Sequence, residues 1–250
     1  MPNGLKLFIM GSPRSGTSIT YYAAREVLKL PGPGESHVVP IFAQMMHQFF
    51  QYVTGFKGTA NKPGPLAGEL DPRSLRVAMQ AHLRAFYQSK FKDDGFVDKT
   101  PGAEALTSAL FVAETFPEAK LLATQRTGIE VVQSFQIKFE AGFEEACTAW
   151  ANCMTALQRA TKLVPQILVI DQFDLTNAPD DIGRRIAGHV ERPEVAGELT
   201  AFFRERRTDK TSAHDWRTRM TLDQTTWTDE QKRVFRAICG PMMEANSYPM

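Results

Sequence analysis

Residues 11–18 (GSPRSGTS) combine glycines and hydroxyl side chains in a pattern typical of a phosphate-binding turn. Two glycines lie five positions apart, and hydroxyl residues follow the second one. Glycine permits the tight turn, and the backbone N–H groups of Gly16, Thr17 and Ser18 can bind an anion if a helix begins there. The alternative is a glycine turn with a Ser or Thr helix cap and no ligand, which is common between a strand and a helix.

The elements on either side of this turn favour the phosphate-binding interpretation. Residues 5–10 (LKLFIM) form a short, mostly apolar run that ends at Gly11, as expected of a buried parallel strand. A helical spacing of apolar residues follows over 18–30 and stops at the PGPG segment of 31–34. The sequence therefore predicts a strand, a phosphate-binding turn and a helix.

Strand-like and helix-like segments then alternate along the chain. Further strands are predicted at 95–98, 119–124 and 167–171, and helices over 41–53, 73–92, 103–116, 129–139, 144–163 and 222–242. The pattern predicts an α/β fold in a single domain, with a parallel sheet covered by helices on both faces. Ligands of such folds bind at the carboxyl ends of the strands.

Composition limits the functional classes. The 250 residues include 43% hydrophobic residues, and 29 Lys and Arg against 28 Asp and Glu give a formal charge of +1. This balance excludes wholesale disorder and a basic protein that coats nucleic acid, so an anion site must be a local cationic pocket. Three cysteines indicate reduced thiols, no apolar run is long enough to span a membrane, and a cytoplasmic location is expected. No Cys/His spacing predicts a metal site, and nucleic acid is not an expected partner.

The turn departs from the nucleotide-triphosphatase pattern at one decisive position. That pattern has Lys after the second glycine and a Ser or Thr that binds Mg²⁺. Here Thr17 occupies the Lys position, and the nearest cation is Arg14, inside the turn. Residues 167–171 (ILVID) are similar to a magnesium-binding strand, but an apolar run that ends in Asp is a frequent chance match. A kinase that uses Mg–ATP is therefore disfavoured.

The segment SPRSGTS resembles the 5′-phosphosulfate loop of sulfotransferases that use 3′-phosphoadenosine 5′-phosphosulfate (PAPS). It is most similar to the branch with Pro-Arg-Ser-Gly-Thr, which includes tyrosylprotein sulfotransferases and many bacterial enzymes. The resemblance implies a P-loop NTPase-like three-layer sandwich with a central parallel sheet flanked by helices. It also implies that Ser15, Gly16, Thr17 and Ser18 hold the 5′-phosphosulfate, with Arg14 where cytosolic relatives have Lys.

Other segments extend this resemblance. Arg126 after a strand, with Ser134 on the following helix, is similar to the family's 3′-phosphate element, although Gly128 replaces the usual Pro. Lys99, in the segment DKTP, corresponds to a Lys that approaches the oxygen between sulfur and the leaving 5′-phosphate, where negative charge develops.

A basic stretch over 206–217 is similar to the late loop that closes over the 3′-phosphate. The resemblance assigns nucleotide contacts there to Arg207, Lys210, Trp216 and Arg217, while His214 replaces the family's Gly.

Sulfuryl transfer to a hydroxyl needs a general base. Glu35 follows the Pro-Gly break at a place comparable to the catalytic Glu of the tyrosylprotein branch, and His37 is the second candidate. Cytosolic relatives use a His just after the Lys-Thr pair, but Pro101 occupies that place here.

The predicted activity is sulfuryl transfer from PAPS to a hydroxyl group of a small-molecule, carbohydrate or peptide acceptor. Glu35, Lys99 and Arg14 are the candidate catalytic residues. The alternatives are a P-loop small-molecule kinase and a non-catalytic nucleotide-binding module. The acceptor's identity and the oligomeric state are not predicted, and the aromatic residues at 49, 50, 52 and 56 are expected in the core rather than at an acceptor.

Overall fold

A computed structural model describes residues 4–56, 71–92, 94–206 and 217–250. Its strands are β1 (Lys6–Gly11), β2 (Phe96–Lys99), β3 (Lys120–Gln125) and β4 (Leu168–Asp171). All neighbouring strands are parallel, in the order β2-β1-β3-β4. β1 thus lies in the interior of the sheet, and its carboxyl end, Gly11, pairs with Thr124 of β3.

Helices connect the strands and cover the sheet. They are α1 (Thr17–Glu26), α2 (Val38–Phe56), α3 (Pro72–Phe91), α4 (Ala103–Thr107), α5 (Ala109–Thr115), α6 (Gly128–Phe139), α7 (Phe143–Leu163), α8 (Gln172–Asn177), α9 (Pro179–His189), α10 (Ala196–Glu205) and α11 (Asp229–Ala245). Short 3₁₀ turns occur at Pro193–Val195 and Leu222–Gln224. None of the helices in these described ranges is long and apolar enough to cross a membrane.

Side chains of β1 alternate between two hydrophobic clusters, because successive residues of a strand point to opposite faces. Phe8 and Met10 join a cluster with residues of α3–α7 and α11, whereas Leu7 and Ile9 join one with residues of α1, α9 and α10. Helices therefore cover both faces of a parallel sheet. The predicted fold class is confirmed.

The predicted helix over 41–53 extends three residues further at each end in the structure, and three other predicted helices differ more. The first helix ends at Glu26 instead of residue 30. The predicted helix over 103–116 is interrupted at Ser108, whose N–H donates to the carbonyls of both Glu104 and Ala105. The predicted helix over 222–242 begins only at Asp229, because Thr228 and Gln231 form a capping box there.

The prediction that the aromatic residues of α2 belong to the core is wrong for two of them. Phe49 is 44% exposed and Tyr52 is 62% exposed. They lie three residues apart on an outer face of α2 that also carries the exposed Ile41 and Met45. Spacing shows that such residues share a helix face, but it does not show whether another element covers that face.

Candidate functional site

Two glycines allow the turn after β1 to pass close to its neighbours. Gly11 has φ +141°, and a Cβ there would lie 2.3 Å from the carbonyl oxygen of Thr124. Gly16 has φ +96°, and its Cβ would lie 2.8 Å from Leu175. Both positions combine a backbone conformation that favours glycine with contact too close for a side chain. The two glycines of the predicted turn are therefore required because β3 and α8 leave no room for a side chain at either position.

The side chain of Ser15 points into the protein. Its hydroxyl is fully buried, lies 2.8 Å from Thr124 Oγ1, and is within hydrogen-bond distance of the carbonyl oxygens of Ser12 (2.5 Å) and Thr124 (3.1 Å). Its backbone N–H also donates to Ser12 O. Ser15 thus fixes the shape of the turn against β3.

The amino terminus of α1 opens directly from this turn. Gly16 precedes the first helical residue, no side chain caps the helix, and no acidic residue lies in its first turn. Its first N–H groups have no acceptor within the helix, and the helix dipole adds partial positive charge at the same point. This end of α1 is well suited to bind an anion.

Arg14, Arg126 and Ser134 come together beside this helix end. Arg14 Nε donates to Ser134 Oγ over 2.8 Å, and Arg126 Nη1 lies 3.4 Å from the Arg14 carbonyl oxygen. Ser134 is only 1% exposed, so its hydroxyl reaches the site through this contact with Arg14. Arg126 also pairs with Glu130, a residue that the sequence analysis missed, at 3.0 Å between Nε and Oε2.

A cavity of about 220 Å³ adjoins the turn. Of the predicted site residues, Arg14, Gly16, Thr17, Ser18 and Arg126 line it. Its remaining walls come from Ile19 and Tyr22 of α1, Gln172 of α8, and Phe202 and Arg206 at the end of α10. The Arg206 guanidinium lies 4.9 Å from the centre of the Phe202 ring. Arg206 begins the basic stretch that the sequence predicted to close over the nucleotide. The other walls were not predicted, because α8 and α10 meet α1 only through the folding of distant segments.

Lys99 and Glu35 meet on the other side of the α1 amino terminus. Lys99 is 5% exposed, and its Nζ donates to Glu35 Oε1 (2.9 Å) and to Ser18 Oγ (3.1 Å). Glu35 Oε2 also lies 3.2 Å from His37 Nε2. Ser18 lines the cavity and contacts Lys99, so it connects this carboxylate–ammonium pair to the turn after β1.

The protonation of Glu35 follows from these partners. Partial burial on its own would raise the pKa of the Glu35 carboxyl, but hydrogen bonds from Lys99 and His37 outweigh burial and lower the pKa below its usual value. Glu35 is therefore an ionised carboxylate at neutral pH, and the Lys99 ammonium group contacts one of its oxygens.

A buried carboxyl of β2 holds the segment that carries Glu35. Asp98 accepts hydrogen bonds from Ser36 Oγ, Tyr87 Oη and Thr100 Oγ1. The backbone N–H of Ser36 donates to Lys99 O, and that of Val97 donates to Pro31 O. Residues 31–36 thus lie alongside β2, which directs Glu35 toward Lys99. Burial raises the pKa of Asp98, although these hydroxyl donors act in the opposite direction.

Residues of the late loop are mostly outside the described part of the chain. Arg207, Lys210 and Trp216 belong to that undescribed stretch, so their predicted nucleotide contacts stay predictions. Arg217 is described and exposed, and it is not among the residues that line the cavity. Asp171, at the end of the strand similar to a magnesium-binding one, pairs with Arg219 at 3.1 Å and accepts from Tyr248 Oη at 2.6 Å.

The fold and the turn define a class: an α/β protein with a parallel sheet and a glycine-containing turn between β1 and α1. The profile described as the Sulfotransferase family matches residues 6–197, which include this loop, Lys99, Arg126 and Ser134. The chain belongs to the sulfotransferase family, and the resemblance found in the sequence is confirmed.

Solved sulfotransferase domains share the fold. The sulfotransferase domain from the curacin biosynthetic pathway matches with a TM-score of 0.52 and 14% identity, over 99% of each chain. The sulfotransferase domain of the Synechococcus PCC 7002 olefin synthase matches with a TM-score of 0.54 and 16% identity, over 99% of this chain and 96% of that one. STF9 from Mycobacterium avium matches with a TM-score of 0.54 and 13% identity, over 100% of this chain and 79% of its own.

A curated relative is considerably longer than this chain. An uncharacterized protein from Aquifex aeolicus (strain VF5) is 27% identical over 224 residues, which are 85% of this chain and 28% of the relative. The chain thus spans about a quarter of the length of that relative.

Proposed function

We propose that this sulfotransferase-family protein transfers a sulfuryl group from PAPS to a hydroxyl acceptor. One observation carries the proposal: two separate sets of cationic residues flank the same helix end. Arg14 and Arg126 lie on one side of the α1 amino terminus, and Lys99 lies on the other side beside Glu35. A donor with one phosphate at each end of its ribose needs two such anion sites.

The turn and the cavity fit the donor's nucleotide part. The N–H groups of Gly16, Thr17 and Ser18 would hold the 5′-phosphosulfate, and Ser15 would keep the turn in shape from behind. Arg126 and Ser134 would hold the 3′-phosphate, and the Arg14 Nε that donates to Ser134 would keep this hydroxyl in place. The cavity has the apolar walls that a nucleoside needs, from Ile19, Tyr22 and Phe202. The nucleotide site would be completed by Arg217 and by three residues outside the described part of the chain, Arg207, Lys210 and Trp216.

Glu35 and Lys99 have charges suited to the two ends of an in-line displacement. The acceptor oxygen forms a bond to sulfur while the bond between sulfur and the 5′-phosphate oxygen breaks. Glu35, ionised at neutral pH, would take the acceptor's proton, and Lys99 would stabilise negative charge on the departing oxygen. Arg14 would neutralise charge on the same group. His37 contacts Glu35 and stays the second candidate for the base.

A thermal-shift comparison tests the donor. We expect 3′,5′-adenosine bisphosphate, the product of PAPS, to stabilise the protein by about 2.7 kcal/mol at a concentration one hundred times its Kd. Mg–ADP at the same concentration should stabilise it much less, because the second anion site would stay empty. Stabilisation by Mg–ADP alone would refute PAPS as the donor and favour a P-loop kinase.

Catalysis is tested separately from binding. Glu35→Gln should abolish release of adenosine bisphosphate from PAPS in the presence of an acceptor chosen from a panel of alcohols and phenols, and should leave the bisphosphate Kd within about twofold. The non-catalytic binding module would be favoured if the wild-type protein bound the bisphosphate but turned over no acceptor of the panel. The wild-type protein and Glu35→Gln would then behave alike.

A further inference from the structure

A largely covered carboxylate lies against Arg126 without lining the cavity. The Glu130 side chain is 9% exposed and that of Arg126 is 13% exposed, and they form an ion pair through Nε. Arg126 lines the cavity, whereas Glu130 is not among the described residues that do. Arg126 is therefore part of the cavity wall, whereas Glu130 contacts Arg126 and leaves the cavity to it.

The pairing uses one edge of the guanidinium. Glu130 accepts a hydrogen bond from Nε. Nη1 makes a longer and therefore weaker contact, 3.4 Å, with the Arg14 carbonyl oxygen. Within the described part of the chain, Nη2 makes no hydrogen bond. A guanidinium presents its donors in a planar fork, so fixing Nε also fixes the direction of the two terminal nitrogens.

The backbone of Arg126 is held as firmly as its side chain. Its carbonyl oxygen accepts from Trp150 Nε1 at 3.0 Å, and the next residue, Thr127, is buried and contacts Met243. Both ends of the arginine are thus anchored, the backbone by α7 and α11 and the guanidinium by Glu130. A long side chain held at both ends loses little conformational entropy when an anion binds to it.

Spacing along α6 places the carboxylate between the two predicted 3′-phosphate ligands. Glu130 follows Arg126 by four residues, and Ser134 follows Glu130 by four, which puts Glu130 and Ser134 on one face of α6. Arg14 contacts Ser134, and Arg126 approaches Arg14. Glu130 therefore lies on the same face of α6 as the hydroxyl that Arg14 contacts.

We propose that Glu130 is a positioning residue that makes the site selective for a 3′-phosphorylated nucleotide. It holds the Nε edge of Arg126, so that the terminal nitrogens point at the position of the 3′-phosphate. The inference rests on the proposed function, because it assigns the 3′-phosphate to Arg126.

Three substitutions of Glu130 separate the effect of its contact with Arg126 from the effect of its negative charge. Glu130→Gln keeps an oxygen that can accept from Arg126 Nε but removes the charge. Glu130→Asp keeps the charge but is too short to make the contact, and Glu130→Ala removes both. Isothermal titration calorimetry with 3′,5′-adenosine bisphosphate and adenosine 5′-phosphate gives the ratio of their dissociation constants, which measures selectivity for the 3′-phosphate.

We expect the selectivity ratio to fall about tenfold in Glu130→Asp and Glu130→Ala and to stay within about twofold of wild type in Glu130→Gln. In an Arg126→Ala background, Glu130→Ala should change the ratio no further. Glu114→Ala, which breaks the exposed ion pair with Arg76, is the matched control and should leave the ratio unchanged.

An unchanged ratio in the Asp variant would overturn the inference even if its thermal stability falls, since a purely structural role does not affect selectivity. An equal loss in the Gln and Asp variants would overturn it as well, because the charge of Glu130 would then matter as much as its contact with Arg126. The comparison of Gln with Asp stays decisive if Glu130→Ala does not fold. A wild-type protein that binds both nucleotides equally would instead refute the proposed function, and this inference with it.

Discussion

At the scale of single residues, the site is organised by short contacts between charged groups. Arg14 joins Ser134 on one side of the α1 amino terminus, and Lys99 joins Glu35 on the other. The sequence predicted Arg14, Lys99, Glu35, Arg126 and Ser134 because each matches a family motif. It did not predict Glu130 or Asp98. A carboxylate four residues after an arginine, or near the end of a strand, is common on protein surfaces. Only their low exposure distinguishes Glu130 and Asp98 from such surface carboxylates, and the sequence does not show exposure.

Arg126→Ala should weaken binding of 3′,5′-adenosine bisphosphate by about 10- to 100-fold. This is the loss of affinity expected when one or two charge-assisted hydrogen bonds are removed. Binding of adenosine 5′-phosphate should change by no more than about threefold, because that ligand lacks the 3′-phosphate. Calorimetric titration of both ligands measures the difference. Equal weakening of the two would remove Arg126 from its assigned role.

His37→Ala distinguishes the two candidate bases by pH dependence. Glu35 must be ionised to accept a proton, and its lowered pKa predicts that kcat/KM falls only well into the acid range, below the carboxyl's usual value of 4.5. His37 contributes to that lowering, so its removal should raise the pKa of Glu35 and move the acid limb to higher pH, with activity at pH 7 retained. Loss of activity across the whole pH range would make His37 the base.

At the scale of elements, the turn between β1 and α1 depends on β3 and α8 as much as on its own sequence. The glycine frame was predictable because a strand, two glycines and a helix follow one another directly. The buried contact of Ser15 with Thr124 was not, because it joins residues 109 positions apart. Helix ends were predicted less well than helix positions, and the capping box at Thr228 and Gln231 explains the largest error.

Gly11→Ala should destabilise the protein by about 2–4 kcal/mol, from backbone strain at positive φ together with overlap against Thr124. Urea unfolding followed by circular dichroism measures the change. Gly188→Ala is the matched control: nothing lies within 4 Å of its Cβ position, and a helical alanine should be neutral or stabilising by up to about 1 kcal/mol. Similar losses in both variants would show that the overlap at Gly11 is not the cause.

At the scale of the whole molecule, the carboxyl-terminal segment is tied back to the sheet beside the site. Tyr248 donates to Asp171 at the end of β4, and the Arg219 guanidinium lies 4.5 Å from the Phe173 ring centre and 5.1 Å from that of Tyr248. The parallel sheet and its two helical layers were predictable from alternating strand and helix patterns. This connection was not, since nothing near residue 248 in the sequence indicates its partner. That the chain forms one domain stays a prediction.

Tyr248→Phe should lower the free energy of unfolding by about 1–3 kcal/mol, because one oxygen of the buried Asp171 carboxyl loses its donor. The dissociation constant of adenosine bisphosphate should not change, since Tyr248 does not line the cavity. Chemical denaturation and calorimetry give the two quantities. Glu194→Gln, which breaks an exposed pair with Arg192, should cost less than about 1 kcal/mol and serves as the control.

A crystal structure of the protein with 3′,5′-adenosine bisphosphate would test the site most directly. The account predicts the 5′-phosphate over the N–H groups of Gly16, Thr17 and Ser18, and the 3′-phosphate within hydrogen-bond distance of Arg126 and of the Arg14–Ser134 pair. A 3′-phosphate that points into solvent, or a nucleotide bound away from the β1–α1 turn, would contradict it.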